Sequence, residues 1–296
     1  MPNGILIVDK PQEWTSMDVC AKLRGLFQEK RIGHAGTLDP MATGVLPIFV
    51  GRATRAASLA PDNDKEYIAT LKLGVVTNTQ DIWGEILEEK AVSVNQDHFT
   101  ALLPQFTGEI QQLPPMYSAV KIKGKKLYEL ARKGMEVERE PRPVVIHELE
   151  LLADEPARCP APATSDSYCL RVLCSKGTYI RTLCHDIGQA LGCGGCMASL
   201  RRTRACGFSL SQAHTLEEVL RHPDPASLLL PVDKLFGDRP ALKLSEKQAV
   251  RLSHGGTFST PAAPGEYRAY SPTEEFLALC QVEEGTLSTI KSFFEV

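Results

Sequence analysis

The most informative loop of this chain reads Gly33-His34-Ala35-Gly36-Thr37-Leu38-Asp39-Pro40-Met41-Ala42-Thr43-Gly44-Val45-Leu46-Pro47. It combines a carboxylate, an imidazole, three glycines and two prolines, and it runs directly into the apolar segment 45–50. Glycines allow a backbone to approach a ligand closely, and Pro40 fixes the chain directly after Asp39. A carboxylate held in a loop at the mouth of a predicted strand is well placed for chemistry, although Asp-Pro is equally typical of a plain turn.

The chain has the composition of a globular enzyme. It has 296 residues, of which 43% are hydrophobic and 23% are charged, which is enough for one large domain and a small one. No apolar run reaches the roughly 18 residues that cross a bilayer. The N-terminal residues lack the basic start and the small-residue cleavage site of a signal peptide. We therefore expect a cytoplasmic protein with no membrane partner.

Nine cysteines in a cytoplasmic chain are expected to be free thiols, because disulfides form mainly in oxidising compartments. Cys193 and Cys196 have the spacing of half a zinc site, but no second pair completes a tetrahedral site. Cys184, His185 and Cys206 are loose candidates for further ligands. We expect no metal site, and thiols that pack near a turn.

The formal net charge of −3 hides two basic segments. Residues 121–133 contain six basic residues and one acid, and residues 171–204 contain six basic residues against Asp186 alone. This distribution is typical of a mildly acidic protein that turns one face toward a polyanion. Lysines on an ordinary solvated surface are the alternative for either segment taken alone.

Hydrophobic periodicity predicts a mixture of strands and helices. Predicted strands cover 4–8, 45–50, 67–73 and 168–174, and predicted helices cover 18–27, 97–103 and 127–132. Ser16 is expected to cap the first helix, after a turn at 9–11, and Thr178 is expected to cap a helix that ends at Gly192. Strands and helices do not alternate strictly, so the pattern favours an α+β fold over a doubly wound sheet.

The loop closely resembles the catalytic loop of the TruB family of tRNA pseudouridine synthases, whose GTLDPxATGVL pattern is matched throughout by residues 36–46. Further segments resemble the same family in the expected order, namely 4–16, Lys65-Glu66-Tyr67, the stretch 114–132 with its start Pro114-Pro115-Met116-Tyr117-Ser118-Ala119-Val120-Lys121, and Lys176-Gly177-Thr178-Tyr179-Ile180-Arg181-Thr182-Leu183. Together they cover the chain from about Gly4 to Arg204. Several independent motifs in order are far more specific than one.

The resemblance implies a pseudouridine synthase fold, which is α+β with a mixed, mostly antiparallel central sheet and flanking helices. It implies a catalytic domain over residues 1–236 that carries an RNA-binding insertion at about 121–147. After a break near Gly237, residues 240–296 resemble a small β-rich, PUA-like RNA-binding module with short apolar runs such as 276–282.

The reaction implied by the resemblance is the isomerisation of uridine to pseudouridine in the T arm of tRNA, at position 55. The N1–C1′ bond breaks, the uracil turns and C5 bonds to C1′, so the reaction is redox-neutral and needs no cofactor. Positive charge develops at C1′, and the carboxylate of Asp39 can stabilise or trap it, as in glycosidases. Family resemblance pairs Arg181 with this carboxylate, because a guanidinium fork holds a carboxylate ionised and oriented. Taken alone, Arg181 suggests an ordinary surface ion pair.

The target base must leave its stack to reach Asp39, and the resemblance implies that Tyr67 stacks on the flipped uracil. By the same resemblance, the Tyr67 hydroxyl is a candidate for removing the C5 proton, and His34 enters the space that the nucleotide vacates. Outside the family context, Tyr67 is an ordinary half-buried strand residue and His34 a structural histidine. The other expected RNA contacts, most of them basic side chains that bind phosphate, are Lys10, Tyr179, Lys121, Lys123, Lys125, Lys126, Arg132, Lys176, Arg201 and Arg202.

Two alternative functions remain open from the sequence. One is the related guide-RNA-dependent catalytic subunit of archaeal and eukaryotic particles, against which the short N-terminus and the long basic insertion argue. The other is an RNA-binding or RNA-folding protein with little catalysis, against which the intact Asp39, Tyr67 and Arg181 argue. The sequence therefore favours a stand-alone enzyme that acts on tRNA and requires no protein partner.

Overall fold

The computed structural model describes residues 1–60, 64–122, 124–152, 159 and 164–294. The α-helices are α1 (Ser16–Phe27), α2 (Gln96–Leu102), α3 (Leu127–Ala131), α4 (Ile180–Ala190), α5 (Leu216–Arg221) and α6 (Glu246–Ser253). The strands are β1 (Gly4–Lys10), β2 (Ile32–His34), β3 (Thr43–Val50), β4 (Lys65–Leu73), β5 (Val75–Thr77), β6 (Ile86–Glu89), β7 (Gly108–Gln112), β8 (Lys121–Ile122), β9 (Lys125–Lys126), β10 (Arg142–Leu151), β11 (Ser167–Cys174), β12 (Gly195–Ala205), β13 (Phe208–Ser209), β14 (His214–Thr215), β15 (Ala241–Lys243), β16 (Phe258–Ser259), β17 (Gly265–Tyr270), β18 (Phe276–Glu283) and β19 (Thr286–Ser292). This mixture confirms the predicted α+β class. Within the described residues, no helix combines the length and the apolar character needed to span a bilayer.

The chain divides into two compact units. One comprises Met1–Asp39, Leu46–Asp62 and Cys206–Val296, and the other comprises Pro40–Val45 and Asn63–Ala205. Strand β3 contributes residues to both units, because the chain passes from one to the other within it. The loop that precedes β3 is also divided, with Asp39 in the first unit and Pro40 in the second.

The second unit is built on an antiparallel sheet. Its strands follow the order β12-β4-β11-β10-β7, and each neighbouring pair runs antiparallel. The first residues of β3 pair with β12 in parallel, so the arrangement is mixed but mostly antiparallel, as predicted. Helix α4 packs against the start of β12, where a Cβ at Gly188 would overlap the backbone of Gly194 and Gly195. Glycine at position 188 therefore allows this close approach of helix and strand.

The first unit contains the N-terminal strand and helix. Strand β1 pairs with β14 in parallel, and β2 pairs with the later part of β3 in antiparallel register. Helix α1 turns one face inward, because Val19, Cys20, Leu23 and Phe27 recur at helical spacing and are buried.

The C-terminal part of this unit is β-rich, as predicted. Residues 241–292 form a five-stranded sheet in the order β15-β17-β18-β19-β16, and β18 contains the apolar run recognised in the sequence. Its own apolar core consists of Leu244, Leu252, Phe258, Ala269, Leu277, Ala278, Cys280, Val282 and Leu287.

The structure corrects the predicted cap of α1 by one residue. Thr15 is the N-cap, because its hydroxyl accepts the N–H of Asp18 at 3.0 Å and the Asp18 carboxylate accepts the N–H of Thr15 at 2.9 Å. This reciprocal arrangement is a capping box, and it satisfies the helix start without Ser16. The Ser16 hydroxyl is therefore not needed for the helix cap.

Among the other boundaries that differ from the prediction, two have an identifiable cause. Tyr179 is the N-cap position of α4, because the hydroxyl of Thr178 donates to a carbonyl three residues earlier at 2.9 Å. Strand β1 extends to Lys10, which is two residues into the turn predicted at 9–11, because Asp9 is paired with Thr215 of β14. In each case a partner distant from the predicted motif sets the boundary.

One prediction about the cysteines was wrong. The structure joins Cys159 to Cys169 in a disulfide, with Cα atoms 5.9 Å apart, whereas all nine cysteines were expected to be free. Composition could not reveal this pair, because the distance between two cysteines depends on the fold. Cys193 and Cys196 are free and buried. Among the residues that the structure describes, no three His, Cys, Asp or Glu side chains are grouped as ligands for a metal ion.

Asp186, on α4, leads to a prediction about stability and pH. Burial raises the pKa of its carboxyl to about 6, from 3.8 for a solvated aspartate. The folded state therefore holds this proton more tightly than the unfolded chain, so the stabilising effect is complete below about pH 4 and is lost as the pH rises through about 6. Asp186→Asn should raise the melting temperature over that of the wild type at about pH 8, and by less at about pH 5. Circular dichroism melts test this, and an equal shift at both pH values would contradict it.

Candidate active site

Arg181 lies in the first turn of α4 and is buried. Its Nη1 donates to the carbonyl of Thr79 at 2.9 Å, and its Nη2 donates to the carbonyl of Tyr117 at 2.9 Å. Nη1 is also 3.7 Å from Oδ2 of Asp81. A buried charge needs such partners, because removing it from water without them costs several kcal/mol or more. These contacts fix the plane of the guanidinium as well as its position.

Asp81 is a buried carboxylate that sequence reasoning missed. Its Oδ1 accepts the hydroxyl of Thr79 at 2.8 Å and the backbone N–H of Trp83 at 3.1 Å. These two bonds orient the carboxylate, and Oδ2 is the oxygen on the side of Arg181. In the sequence, segment 78–84 is typical of a turn in which an Asp bonds nearby backbone, so nothing local indicates the ion pair.

A side chain from β7 holds the start of α4. Gln112 is buried, its Oε1 accepts the N–H of Tyr179 at 2.8 Å, and its Nε2 donates to the carbonyl of Tyr179 at 3.0 Å. The amide thus bonds Tyr179 as a neighbouring strand would. Because Tyr179 immediately precedes α4, the two bonds fix the backbone from which Arg181 projects. Sequence reasoning missed Gln112, since no local pattern connects it to α4.

Tyr67 lies in β4, between two other strands of the sheet. Its register partners are Val172 on β11 and Arg202 on β12, and it is buried. The structure therefore brings two of the predicted site residues, Tyr67 and Arg202, together on neighbouring strands. The Nε of Arg202 donates to the carbonyl of Val45 at 2.7 Å.

The start of β3 approaches β12 closely. Thr43 and Gly44 pair with Arg201 and Arg202, and Nη1 of Arg201 donates to the hydroxyl of Thr43 at 3.3 Å. Gly44 has a φ of 104°, and a Cβ at this position would overlap the backbone of Arg202. Both the backbone conformation and the close contact therefore require glycine at this position of the loop pattern.

Asp39 lies half-buried in a loop of the first unit. The loop leaves β2 at His34, which pairs with Ile48 of β3. The N–H of Ala35 then donates to the carbonyl of Pro47 at 3.1 Å. These contacts close the base of the loop, so Asp39 is carried on a restrained segment.

Two of the predicted RNA contacts are internal in the structure. Lys10 is fully buried, and its Nζ donates to the carbonyls of Pro11 and Trp14 at 2.8 and 2.6 Å. Arg202 is equally buried. The fold therefore presents neither charge to solvent, and a phosphate contact by either residue stays a prediction that requires the side chain to move.

The exposed cations among the predicted RNA contacts are Lys121, Lys125, Arg132 and Lys176. Lys126 is half-buried, and its Nζ donates to the hydroxyl of Tyr128 at 3.2 Å, which raises the pKa of this lysine. The side-chain cations of Lys126 and Arg132 each lie 5.3 Å from the centroid of the Tyr128 ring. Lys123 lies outside the described residues. Cations grouped around an aromatic ring form a surface suited to contacts with phosphates and bases.

Two family models match consecutive parts of this chain. Residues 24–180 match the TruB family pseudouridylate synthase N-terminal domain, and residues 181–236 match the tRNA pseudouridylate synthase B C-terminal domain. The chain is 47% identical over 290 residues to the tRNA pseudouridine synthase B of Stutzerimonas stutzeri (strain A1501), over 95% of this chain and 92% of that protein. It is 42% identical over 293 residues to the protein of the same name from Syntrophomonas wolfei subsp. wolfei, over 97% of this chain and 96% of that protein.

Two solved structures share the fold. A crystal structure of a Cbf5–Nop10–Gar1 complex matches with a TM-score of 0.72 and 24% identity, over 98% of this chain and 85% of that chain. A structure of an H/ACA RNP bound to a substrate RNA containing 2′-deoxyuridine matches with a TM-score of 0.71 and 22% identity, over 99% of this chain and 85% of that chain. At 22–24% identity, the similarity to these two structures concerns the fold alone. Together with the family matches, it confirms the predicted fold class.

The ion pair between Arg181 and Asp81 leads to a prediction about stability. Asp81→Asn should lower the free energy of unfolding by about 3 kcal/mol or more, because it leaves a buried guanidinium with one charge partner fewer. The matched control is Glu217→Gln, which breaks the exposed pair with Arg221 on α5 and should cost less than about 0.5 kcal/mol. Urea unfolding of the three proteins measures both values. Equal small losses in the two variants would show that the buried pair contributes no more than a surface pair.

Proposed function

Because the chain belongs to the TruB family of pseudouridine synthases, we propose that it isomerises a uridine of tRNA to pseudouridine. The observation that carries the proposal is the unbroken family match over residues 24–236, which includes the Asp39 loop, Tyr67 and Arg181. In this reaction the N1–C1′ bond breaks, a C5–C1′ bond forms, C5 loses a proton and N1 gains one. The atoms balance without an oxidant, a reductant or net water, so we assign the reaction no cofactor.

We assign the catalytic carboxylate to Asp39. Breaking a glycosidic bond builds positive charge at C1′, and an ionised carboxylate can stabilise or trap that charge. The closed base of the loop supports the assignment, and so does Pro40, because a residue before proline is restricted to extended conformations. A carboxylate on a restrained backbone needs little further ordering to reach the reacting carbon.

We assign Arg181 as the charge partner of Asp39. Support comes from the guanidinium itself, which is buried, permanently charged and already oriented by two carbonyls and by Asp81. A guanidinium carries five N–H donors in a planar fork, so it can bind carboxylates on more than one side. Such a partner orients the carboxylate of Asp39 by paired hydrogen bonds.

The target uridine must leave the RNA stack to reach this site. Tyr67 then stacks on the flipped uracil, and its hydroxyl is the candidate group for removing the C5 proton. Its place on a central strand supports the first role, because pairing with strands on both sides fixes the backbone that carries the ring. His34, at the end of β2, occupies the space that the nucleotide leaves.

We place the target uridine in the T arm, at tRNA position 55. The exposed cations Lys121, Lys125, Arg132 and Lys176 bind phosphate, which supplies affinity and orientation but little sequence reading. Tyr179 and Arg201, both half-buried, are further proposed RNA contacts. Lys123 joins them on the basis of the sequence alone.

We also propose a domain organisation for the chain. The catalytic domain covers residues 1–236, with the RNA-binding insertion at about 121–147, and residues 240–296 form a PUA-like RNA-binding module. The end of the second family match at 236 and the start of the five-stranded sheet at Ala241 support this boundary. A tRNA substrate also supports a cytoplasmic location.

Activity on a naked tRNA transcript separates this proposal from the two alternatives. A stand-alone enzyme forms pseudouridine with no added RNA or protein. A guide-RNA-dependent subunit does so only with its guide and partner proteins, and an RNA-folding protein binds without forming it. The relatives with 42–47% identity favour the first outcome, because they cover nearly the whole chain and are named as tRNA pseudouridine synthases.

Asp39→Asn should abolish isomerisation and leave tRNA binding largely intact, because the change is nearly isosteric and removes only the charge needed at C1′. Tritium release from 5-tritiated uridine in tRNA measures turnover, and filter binding measures affinity. Turnover within about tenfold of the wild type would remove Asp39 from the mechanism.

Replacing Lys121, Lys125 and Arg132 together by alanine should weaken tRNA binding and flatten its dependence on salt. Each lost phosphate contact should reduce the slope of log affinity against log salt by about 0.7 to 0.9. Single-turnover isomerisation at saturating tRNA should change much less. The matched control replaces three exposed cations elsewhere, Lys22, Lys30 and Arg221, with the same change in net charge. If both triple variants have the same slope, these cations belong to an ordinary solvated surface.

A further inference from the structure

We infer that Ser16 is a positioning residue for Asp39, an inference that rests on the function proposed for this loop. The Ser16 hydroxyl accepts the N–H of Leu38 at 2.9 Å and donates to the carbonyl of the same residue at 3.1 Å. Leu38 directly precedes Asp39 in the chain. One hydroxyl thus clamps both polar groups of the residue next to the proposed catalytic carboxylate.

Burial makes this clamp important. Ser16 is 1% exposed and Leu38 is 3% exposed. Leu38 belongs to no strand or helix, so secondary structure does not supply partners for its buried N–H and C=O groups. A hydroxyl can donate and accept at the same time, so Ser16 supplies both partners. Without it, the loop would have to shift to find other partners for these groups or to expose them to water.

The start of α1 leaves this hydroxyl available. Thr15 and Asp18 complete the capping box, so the helix end does not need Ser16. The helix itself is anchored by its buried face, which makes Ser16 a fixed point against which the loop is held. The sequence pattern predicts Ser16 as the helix cap and does not indicate its bonds to Leu38.

Asp39 is consequently restrained from both sides. Ser16 holds the residue before it, and Pro40 restricts the backbone of Asp39 from the residue after it. Such restraint matters for the reaction, because displacing a reacting group by about 1 Å can cost roughly 100-fold in rate. In the proposed mechanism, Ser16 touches neither the substrate nor the reacting atoms. It acts only through the backbone of Leu38.

The test compares Ser16→Ala with Thr15→Ala in single-turnover isomerisation of a T-arm stem-loop RNA. Thr15→Ala destabilises the same helix by removing its cap but leaves the clamp in place, so it controls for a general loss of stability. At saturating RNA and below both melting temperatures, Ser16→Ala should slow isomerisation by about tenfold or more, with RNA affinity within about threefold of the wild type. Thr15→Ala should react at nearly the wild-type rate. If the two variants react at the same rate, Ser16 has no positioning role.

A second variant and a measurement on the wild type keep the inference testable if Ser16→Ala does not fold. Ser16→Thr keeps the hydroxyl and should react near the wild-type rate, even if its extra methyl lowers the melting temperature. In the wild type, hydrogen exchange of the Leu38 amide should be at least about 100-fold slower than exchange of the same amide in the unfolded chain. A Leu38 amide that exchanges as fast in the folded protein as in the unfolded chain, or a Ser16→Thr variant without activity, overturns the clamp.

The same assays distinguish this inference from the proposed function. If the wild type forms no pseudouridine, or if Asp39→Asn remains active, the proposed function or the assignment of Asp39 fails. If Asp39→Asn is inactive while Ser16→Ala keeps the wild-type rate, only the role of Ser16 fails.

Discussion

A buried guanidinium imposes the strongest constraint on this structure. The burial of the charged Arg181 side chain is tolerated because acceptors surround it, among them the carbonyls of Thr79 and Tyr117 and the carboxylate of Asp81. Losing one of them would leave part of a permanent charge desolvated, at a cost of several kcal/mol. The loop after β5, the segment before β8 and the start of α4 must therefore meet around one side chain. The orientation that Arg181 needs for chemistry follows from the contacts that make its burial tolerable.

Side chains replace strand partners at two positions next to proposed catalytic residues. Ser16 bonds both backbone groups of Leu38, and the Gln112 amide bonds both backbone groups of Tyr179. Buried backbone that lies outside regular structure needs such partners. Each clamp fixes the backbone close to a charged residue, Asp39 or Arg181, without contacting the charged side chain itself. The catalytic groups are thus proposed to be held by their backbone supports as well as by each other.

The errors made from the sequence have a common physical cause. Thr15 and Ser16 are adjacent hydroxyl residues, and either can cap a helix, so the choice depends on which one has another partner. The Ser16 hydroxyl instead bonds Leu38, and the Thr178 hydroxyl instead donates to a backbone carbonyl in the preceding turn. The disulfide between Cys159 and Cys169 follows the same logic, because the approach of two thiols is a property of the folded chain.

The amino-acid sequence by itself determined the family, the α+β class, the positions of α1 to α4 and of β1, β3, β4 and β11, and the loop that carries Asp39. It could do so because motifs and hydrophobic periodicity depend only on residues that are close together in the sequence. Only the tertiary structure decided the partners of Arg181 and the clamp on Tyr179, which join residues 102 and 67 positions apart. It also decided that Lys10 is buried, although the sequence interpretation made this lysine an RNA contact. Packing between distant segments determines which polar groups meet water and which must meet each other, and no local pattern contains that information.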